Sequence, residues 1–325
     1  MRAVVLRAHG GPEVLTIEDV PDPVPGPEEI LVDVVSTAVN RADVLQRMGF
    51  YPPPYAEPIE IPGLEFAGTV SACGARAARW KPGDQVMGLV AAGAYAARLA
   101  VHERQVMAVP ADVAIADAGA IPEVFITAWD ALVIQGGLTS GRWALVHAGA
   151  SGVGTAAIQI AKAMGARIAV TCSAGKTEAC RELGADLVLE RSPHDWAADA
   201  AVAVPGGFDT VLDVVGGDEL ARNLAVVAPR GRVVQVGVMA GGGASIDLGI
   251  VLRKRLTLVG TALRSRPIEE KIAVTQRFAA EVLPLFAGGR LRPIVDSRYA
   301  LDDVASAHAR MEANANTGKI VLSLR

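Results

Sequence analysis

Residues 143 to 166 read "WALVHAGASGVGTAAIQIAKAMGA", and how this stretch is divided decides the fold. Its first part, 143 to 161, has no Asp, Glu, Lys or Arg and fills a hydropathy window of about 19 residues, the length that flags a membrane span. Breakers at Gly149, Ser151, Gly152 and Gly154 interrupt it, so it reads instead as a buried strand, a small-residue loop and a helix that stops at Gly165. Glycines in such a loop let the backbone approach a pyrophosphate, and the first amides and positive dipole end of the helix face its charge. The spacing, G-x-x-G-x-G at Gly149, Gly152 and Gly154, departs from the commoner G-x-G-x-x-G. A tight turn alone would explain the glycines. The strand and helix flanking them favour a dinucleotide at Gly149, Ser151, Gly152, Val153 and Gly154.

Downstream, strand-like and helix-like segments alternate: "ARIAV", "KTEACREL", "DLVL", "DTVLDVV", "ELARNLAVV", "GRVVQVGV" and "RLTLVGTAL". Nearly continuous apolar strands between helices predict an α/β, doubly wound parallel sheet covered on both faces, over residues 122–261. Upstream, short strand-like runs separated by "DPVPGPEE", "YPPPYAEPIEIPG" and "WKPGD" predict a β-rich unit over 1–121. The run "ILVDVVSTAV" reads as its half-buried strand, ending at Asn40 and a turn through Arg41, Ala42 and Asp43. Residues 262–325 carry two helical stretches and a closing strand "KIVLSL", with too little alternation for a sheet of their own; they are expected to fold back onto the first unit.

Cofactor choice falls at the end of "ARIAVTCSAGK". An NAD site offers a carboxylate there to the ribose 2'-hydroxyl, and that carboxylate would repel a 2'-phosphate. Here Ser173 offers a hydroxyl and Lys176 a cation, which favours NADPH over NADH. Arg191 is a second candidate, its field partly cancelled by Glu190. Because ligands bind beyond strand C-termini, Gly237, Val238 and Met239 and the strand end at Leu263, Arg264 and Ser265 are expected to line the cofactor.

Composition narrows the partners. With 51% apolar and 20% charged residues the chain has no disorder signature, and its net charge of -4 gives no reason to expect nucleic acid. Cys73, Cys172 and Cys180 show neither an even disulfide framework nor CxxC spacing, which suits a reducing, cytoplasmic setting. The opening run "AVVL" is too short for a secretory core, and His9, His102, His147, His194 and His308 have no metal spacing.

The combination of "NRADVLQRMGFYPPP", "KPGDQVMGL", "AIPEVFITAWDAL", "HAGASGVGTAAIQIAK", "LDVVGG", "TALRSR" and "MEANANTGKIVL" resembles, nearly end to end, the zinc-free quinone oxidoreductases of the medium-chain dehydrogenase/reductase superfamily. Within them it is most similar to the zeta-crystallin-like group and its tumour-suppressor-inducible branch. The resemblance implies a GroES-like catalytic domain built from both chain ends, a Rossmann domain between them, NADPH as cofactor, and a homodimer through the Rossmann domain. Zinc-dependent relatives carry a cysteine where this chain has Asn40 and a Gly-His-Glu where it has Gly63, Leu64 and Glu65. Leu64 cannot ligate a metal, and no four-cysteine lobe is present.

A quinone that accepts hydride leaves negative charge on its carbonyl oxygen, and a site without a Lewis acid must answer it with hydrogen-bond donors. The resemblance puts Asn40 beside the nicotinamide and Tyr51 in the substrate pocket. Ser151 is expected to reach substrate or the cofactor's phosphates, and Thr127 the nicotinamide side. The bland alternatives are an Asn closing a turn, a Tyr packed on prolines, a loop serine and a back-bonded helical threonine. Reduction of other α,β-unsaturated carbonyls is the nearest enzymatic alternative. A NADPH-binding protein with a structural or RNA-binding role is the alternative from another class.

Overall fold

The computed structural model describes residues 1–55, 58–191 and 195–324, so the expectation for His194 lies outside the described residues. The chain divides into two compact units: Met1–Ile126 with Leu263–Arg325, and Thr127–Ala262.

The second unit is built on a six-stranded, all-parallel sheet. Its strands lie in the spatial order Leu187–Glu190, Arg167–Cys172, Trp143–Val146, Phe208–Asp213, Val227–Gln235 and Thr257–Gly260. Ala144, Leu145, Val146, Ile168, Ala169, Val170, Val211 and Leu212 are all fully buried, as central strands covered on two faces require. The quoted stretch contributes the strand Trp143–Val146 and the helix Gly152–Ala163. Chain order reverses between this strand and Phe208–Asp213, so the glycine loop opens at the topological switch point. Two covering helices, Trp196–Ala203 and Leu248–Lys254, carry no clear helical period in sequence.

In the first unit a seven-stranded sheet is assembled from both chain ends. Its long strand, Glu29–Val39, turns Ile30, Val32 and Val34 inward with period two, then becomes buried on both faces. The closing strand Lys319–Ser323 pairs antiparallel with it, Ile320 opposite Val39 and Ser323 opposite Ser36, so the C-terminal stretch folds back onto the first unit. One strand, Val295–Ala300, was not legible beforehand; it pairs parallel with Lys319–Ser323.

The turn expected after Asn40 is instead a helix, Arg41–Arg47. Asp43 Oδ2 reaches back 2.8 Å to accept from the Asn40 amide, closing the helix start as a capping-box carboxylate does. The reading as a turn weighed the Asn and Asp as loop formers, whereas at this spacing they are helix-start residues. Downstream, the helix Pro122–Trp129 continues into a π-helical stretch, Asp130–Gln135.

Candidate active site

In the second unit the strand Trp143–Val146 delivers a tight cradle. A side-chain carbon on Gly149 would lie 2.5 Å from Val170 Cβ, and one on Gly154 would lie 2.4 Å from the Ala148 carbonyl, so neither position admits any other residue without displacing backbone or core. Ser151 caps the following helix, its Oγ accepting from the Gly154 amide at 3.1 Å and leaving its own proton to donate elsewhere. The first turn holds no acidic residue, and the amides of Gly152 and Val153 meet no acceptor among the described residues. An uncancelled positive helix end with free donors suits a phosphate group.

His147, just below the cradle, is structural. Asn223 donates through Nδ2 to Asp213 Oδ2 at 2.9 Å, so its Oδ1, 2.7 Å from His147 Nε2, accepts from that nitrogen. Its other ring nitrogen, Nδ1, lies 2.9 Å from the Thr171 hydroxyl, so both nitrogens are engaged inside the fold.

Of the remaining nucleotide candidates of this unit, all but Thr127 follow strands at the carboxyl edge of the same sheet. Ser173 and Lys176 follow the strand Arg167–Cys172, the serine exposed and the lysine half-buried at the end of a short 3-10 turn. Arg191 is exposed after Leu187–Glu190, its amide donating to the Cys172 carbonyl at 2.9 Å. Gly237, Val238 and Met239 follow Val227–Gln235, with Val238 and Met239 half exposed. Thr127 is buried on the helix Pro122–Trp129. Leu263, Arg264 and Ser265 do not belong to this unit; they lie in the first.

There the Arg264 side chain is engaged with groups of its own unit. Its guanidinium is buried, donating to the Ala91 carbonyl at 2.6 Å, the Tyr51 carbonyl at 2.7 Å and Gln46 Oε1 at 2.5 Å. It also stacks 4.9 Å from the Tyr51 ring centre, so it fixes both the backbone and the ring of that tyrosine. The Tyr51 hydroxyl has no hydrogen-bond partner among the described residues. Burial pushes its pKa above the ordinary phenol value, with the Arg264 charge opposing, so at neutral pH Tyr51 keeps its proton and is a donor.

Asn40 is not a donor available to substrate. Both Nδ2 protons are occupied, by Glu65 Oε1 at 3.0 Å and the Ala38 carbonyl at 3.2 Å, while Oδ1 accepts from Lys319 Nζ at 2.5 Å. The Lys319 ammonium also pairs with Glu65 Oε1 at 2.8 Å and donates to the Val39 carbonyl at 3.0 Å. Glu65 Oε2 accepts from the Glu123 amide at 2.8 Å. Asn40 is thus the middle of a buried ion-pair network. Sequence reasoning missed Lys319; the signal was a lysine inside an otherwise apolar closing strand, a residue type almost never buried without a partner.

Leu64 is buried in the core, and among the described residues no cluster of His, Cys, Asp and Glu is arranged to hold a metal ion. No helix of the described residues is long and apolar enough to cross a membrane.

Residues 26–112 match the alcohol dehydrogenase GroES-like domain, and residues 152–280 the domain described as zinc-binding dehydrogenase. Quinone oxidoreductases from Lama guanicoe and Pseudomonas aeruginosa are each 32% identical to the chain, covering 100% and 99% of it and 98% and 99% of their own lengths. The human synaptic vesicle membrane protein VAT-1 homolog is 29% identical over 99% of this chain and 86% of its own length. Among solved structures, Escherichia coli quinone oxidoreductase complexed with NADPH matches with a TM-score of 0.89 at 28% identity, covering 99% of this chain and all of its own. An NAD-dependent alcohol dehydrogenase matches with a TM-score of 0.88 at 29% identity, over 100% of both chains. The shared GroES-like and parallel-sheet architecture, together with full-length identity to quinone oxidoreductases, makes this chain an oxidoreductase that belongs to the medium-chain dehydrogenase/reductase superfamily, in the quinone oxidoreductase family.

Proposed function

We propose that this enzyme reduces quinones with NADPH and without a metal. The observation that carries the reading is the phosphate cradle of the second unit, followed at the end of the next strand by Ser173 and Lys176 rather than by a carboxylate. A relative solved with NADPH supports the same cofactor. When bound, NADPH supplies the hydride. The amides of Gly152 and Val153 and the Ser151 hydroxyl hold its pyrophosphate, and Ser173 and Lys176 hold the 2'-phosphate. Arg191 adds to the field there, and Thr127 and Gly237 to Met239 complete the nucleotide's surroundings.

In the first unit, Tyr51 donates to the carbonyl oxygen on which negative charge develops, held in place by Arg264. With one further proton the product is the hydroquinone. Asn40 contributes by fixing the Lys319–Glu65 pair, whose ammonium also makes position 40 unattractive to a metal cation. The GroES-like unit is read as 1–121 with 262–325 and the Rossmann unit as 122–261.

Two wider readings accompany this. A homodimer through the Rossmann unit is supported by its edge strand Thr257–Gly260, where Leu258 is 39% exposed beside Leu252 and Leu248 at 77% and 73%. Three free cysteines suit the reducing cytoplasm.

The deciding experiment is steady-state oxidation of NADPH and of NADH with ortho-quinones, para-quinones and alkenals, before and after dialysis against a chelator. Quinone turnover preferring NADPH and surviving chelation is the expected result. Preference for alkenals would move the assignment to enone reduction, and activity lost to the chelator and restored by zinc would end the metal-free reading.

A further inference from the structure

The first unit contains a cavity of about 370 Å³ in which one charge, that of Lys271, is not matched by the described residues. Its apolar walls include Val90, Leu99 and Ile268, and the charged groups on it are Lys271, Arg266, His102 and Glu29. Glu29 is engaged through Oε2 with the Gly26 amide at 2.7 Å, and His102 Nε2 lies 3.6 Å from Glu28. Lys271 is different. It is 9% exposed, yet its ammonium has neither a hydrogen bond nor an ion pair among the described residues. Burial, and then the positive charge of Arg264, lower its pKa. A lysine this deeply set, whose ammonium still reaches the cavity but meets no counter-charge among the described residues, is a residue that proteins rarely keep without a use.

A second observation points to the same kind of ligand. Lys271 sits in the first turns of the 14-residue helix Ile268–Glu281, whose N-terminal residues Pro267 and Ile268 also line the cavity. Pro267, at the cap position, makes no side-chain cap, and the amides of Ile268 and Glu269 meet no acceptor among the described residues. The helix therefore presents two free donors beside the unpaired ammonium; Glu269, paired with Arg104, and Glu270 in its first turn offset the dipole, so the donors and the ammonium are what a ligand meets.

We propose that this cavity is a binding site for a small organic carboxylate with a flat or short apolar body. Its carboxylate pairs with Lys271 and with the first amides of the helix, and its apolar body lies against Val90, Leu99 and Ile268. Free phosphate is a poorer occupant because it would leave those apolar walls uncovered. None of the residues named here is among those assigned above to the nucleotide or the quinone.

The test uses the intact enzyme with benzoate, and benzamide as its uncharged match. Calorimetric titration should show benzoate binding that Lys271→Met weakens at least about tenfold, as loss of a charge-assisted hydrogen bond does. Benzamide should bind wild type at least about tenfold more weakly than benzoate. NADPH binding by Lys271→Met should stay within about twofold of wild type, showing that the variant is folded. In case the variant is damaged, lysine resonances of 13C-methylated wild type, assigned against Lys271→Arg, give an independent readout. Lys271 should titrate below the exposed lysines and move upward on benzoate addition. Equal benzoate affinity in wild type and variant, an unmoved Lys271 resonance, or displacement of benzoate by NADPH would each overturn the proposal.

Discussion

Tyr51 is defined as much by Arg264 as by its own chemistry. The guanidinium fixes the Tyr51 carbonyl and ring, while burial keeps the phenol protonated, so a single hydroxyl is presented as donor. Tyr51→Phe is expected to lower kcat about a hundredfold, the size of a lost oxyanion donor, with NADPH affinity unchanged by fluorescence titration. Unchanged turnover would reduce Tyr51 to a packing residue. At the other end of the reaction, Lys176→Ala should raise KM for NADPH about tenfold to a hundredfold, the value of a charge-assisted contact, and leave KM for NADH within twofold or so. Equal effects on both cofactors would remove the 2'-phosphate assignment. Neither role required the tertiary structure to be suspected: that of Lys176 follows from residue type and position, and that of Tyr51 is what the family resemblance implies. The exclusion of Asn40 as a donor did require it, because only the fold brings Lys319 and Glu65 to its amide.

Among the elements, the sheet of the first unit is closed by a buried charge pair. Lys319 stands on the last strand and Glu65 at the start of another, and both are almost fully inaccessible. Removing one partner leaves an uncompensated buried charge. Lys319→Met alone should therefore cost about 3–5 kcal/mol in urea unfolding, and the double variant Lys319→Met with Glu65→Met should recover most of it. If the double variant is no more stable than the single one, the pair is not the source of the loss. In the parallel sheet, Gly154→Ala places a carbon 2.4 Å from the Ala148 carbonyl. The loop must shift, and NADPH affinity should fall while the sheet, buried elsewhere, keeps its circular dichroism spectrum. The glycine loop was legible in the sequence because its residue spacing is the mechanism. The strand Val295–Ala300 was not, being short and held by a distant partner, whereas the helix Arg41–Arg47 has a local start signal in Asn40 and Asp43 that also suits a turn.

For the whole molecule, the exposed leucines at the end of the parallel sheet predict that Leu258→Lys yields a monomer by light scattering, where the proposed homodimer of the wild type should scatter as two chains. A wild-type monomer would remove the dimer reading. Stability against pH tests the buried polar group formed where Tyr95 meets Asp43 Oδ2 at 3.2 Å and His308 Nε2 at 3.3 Å. Burial raises Asp43 to about 6 from 3.8 and lowers His308 to about 3 from 6.5. Between these unfolded and folded values the native state holds the Asp43 proton that the unfolded chain has released, so its contribution falls as pH rises. For His308 the unfolded chain holds the extra proton, so its contribution grows as pH rises. The two oppose each other over nearly the same window. Asp43→Asn removes the falling part, and stability measured by urea unfolding should then climb more steeply from pH 4 to pH 6 than in the wild type. Parallel curves would show that Asp43 is ionised in the native state.

By itself the sequence determined the architecture of the nucleotide-binding sheet, the cradle at Gly149 to Gly154 and the return of the C-terminal strand. These follow from local periodicity, glycine spacing and apolar strands, which act within a few residues of one another. The tertiary structure decided which polar side chains are free to do chemistry. Arg264 proved to hold the Tyr51 loop, Asn40 to be fully occupied, and Lys271 to lack a partner among the described residues, because hydrogen-bond saturation and burial depend on chain segments far apart in sequence.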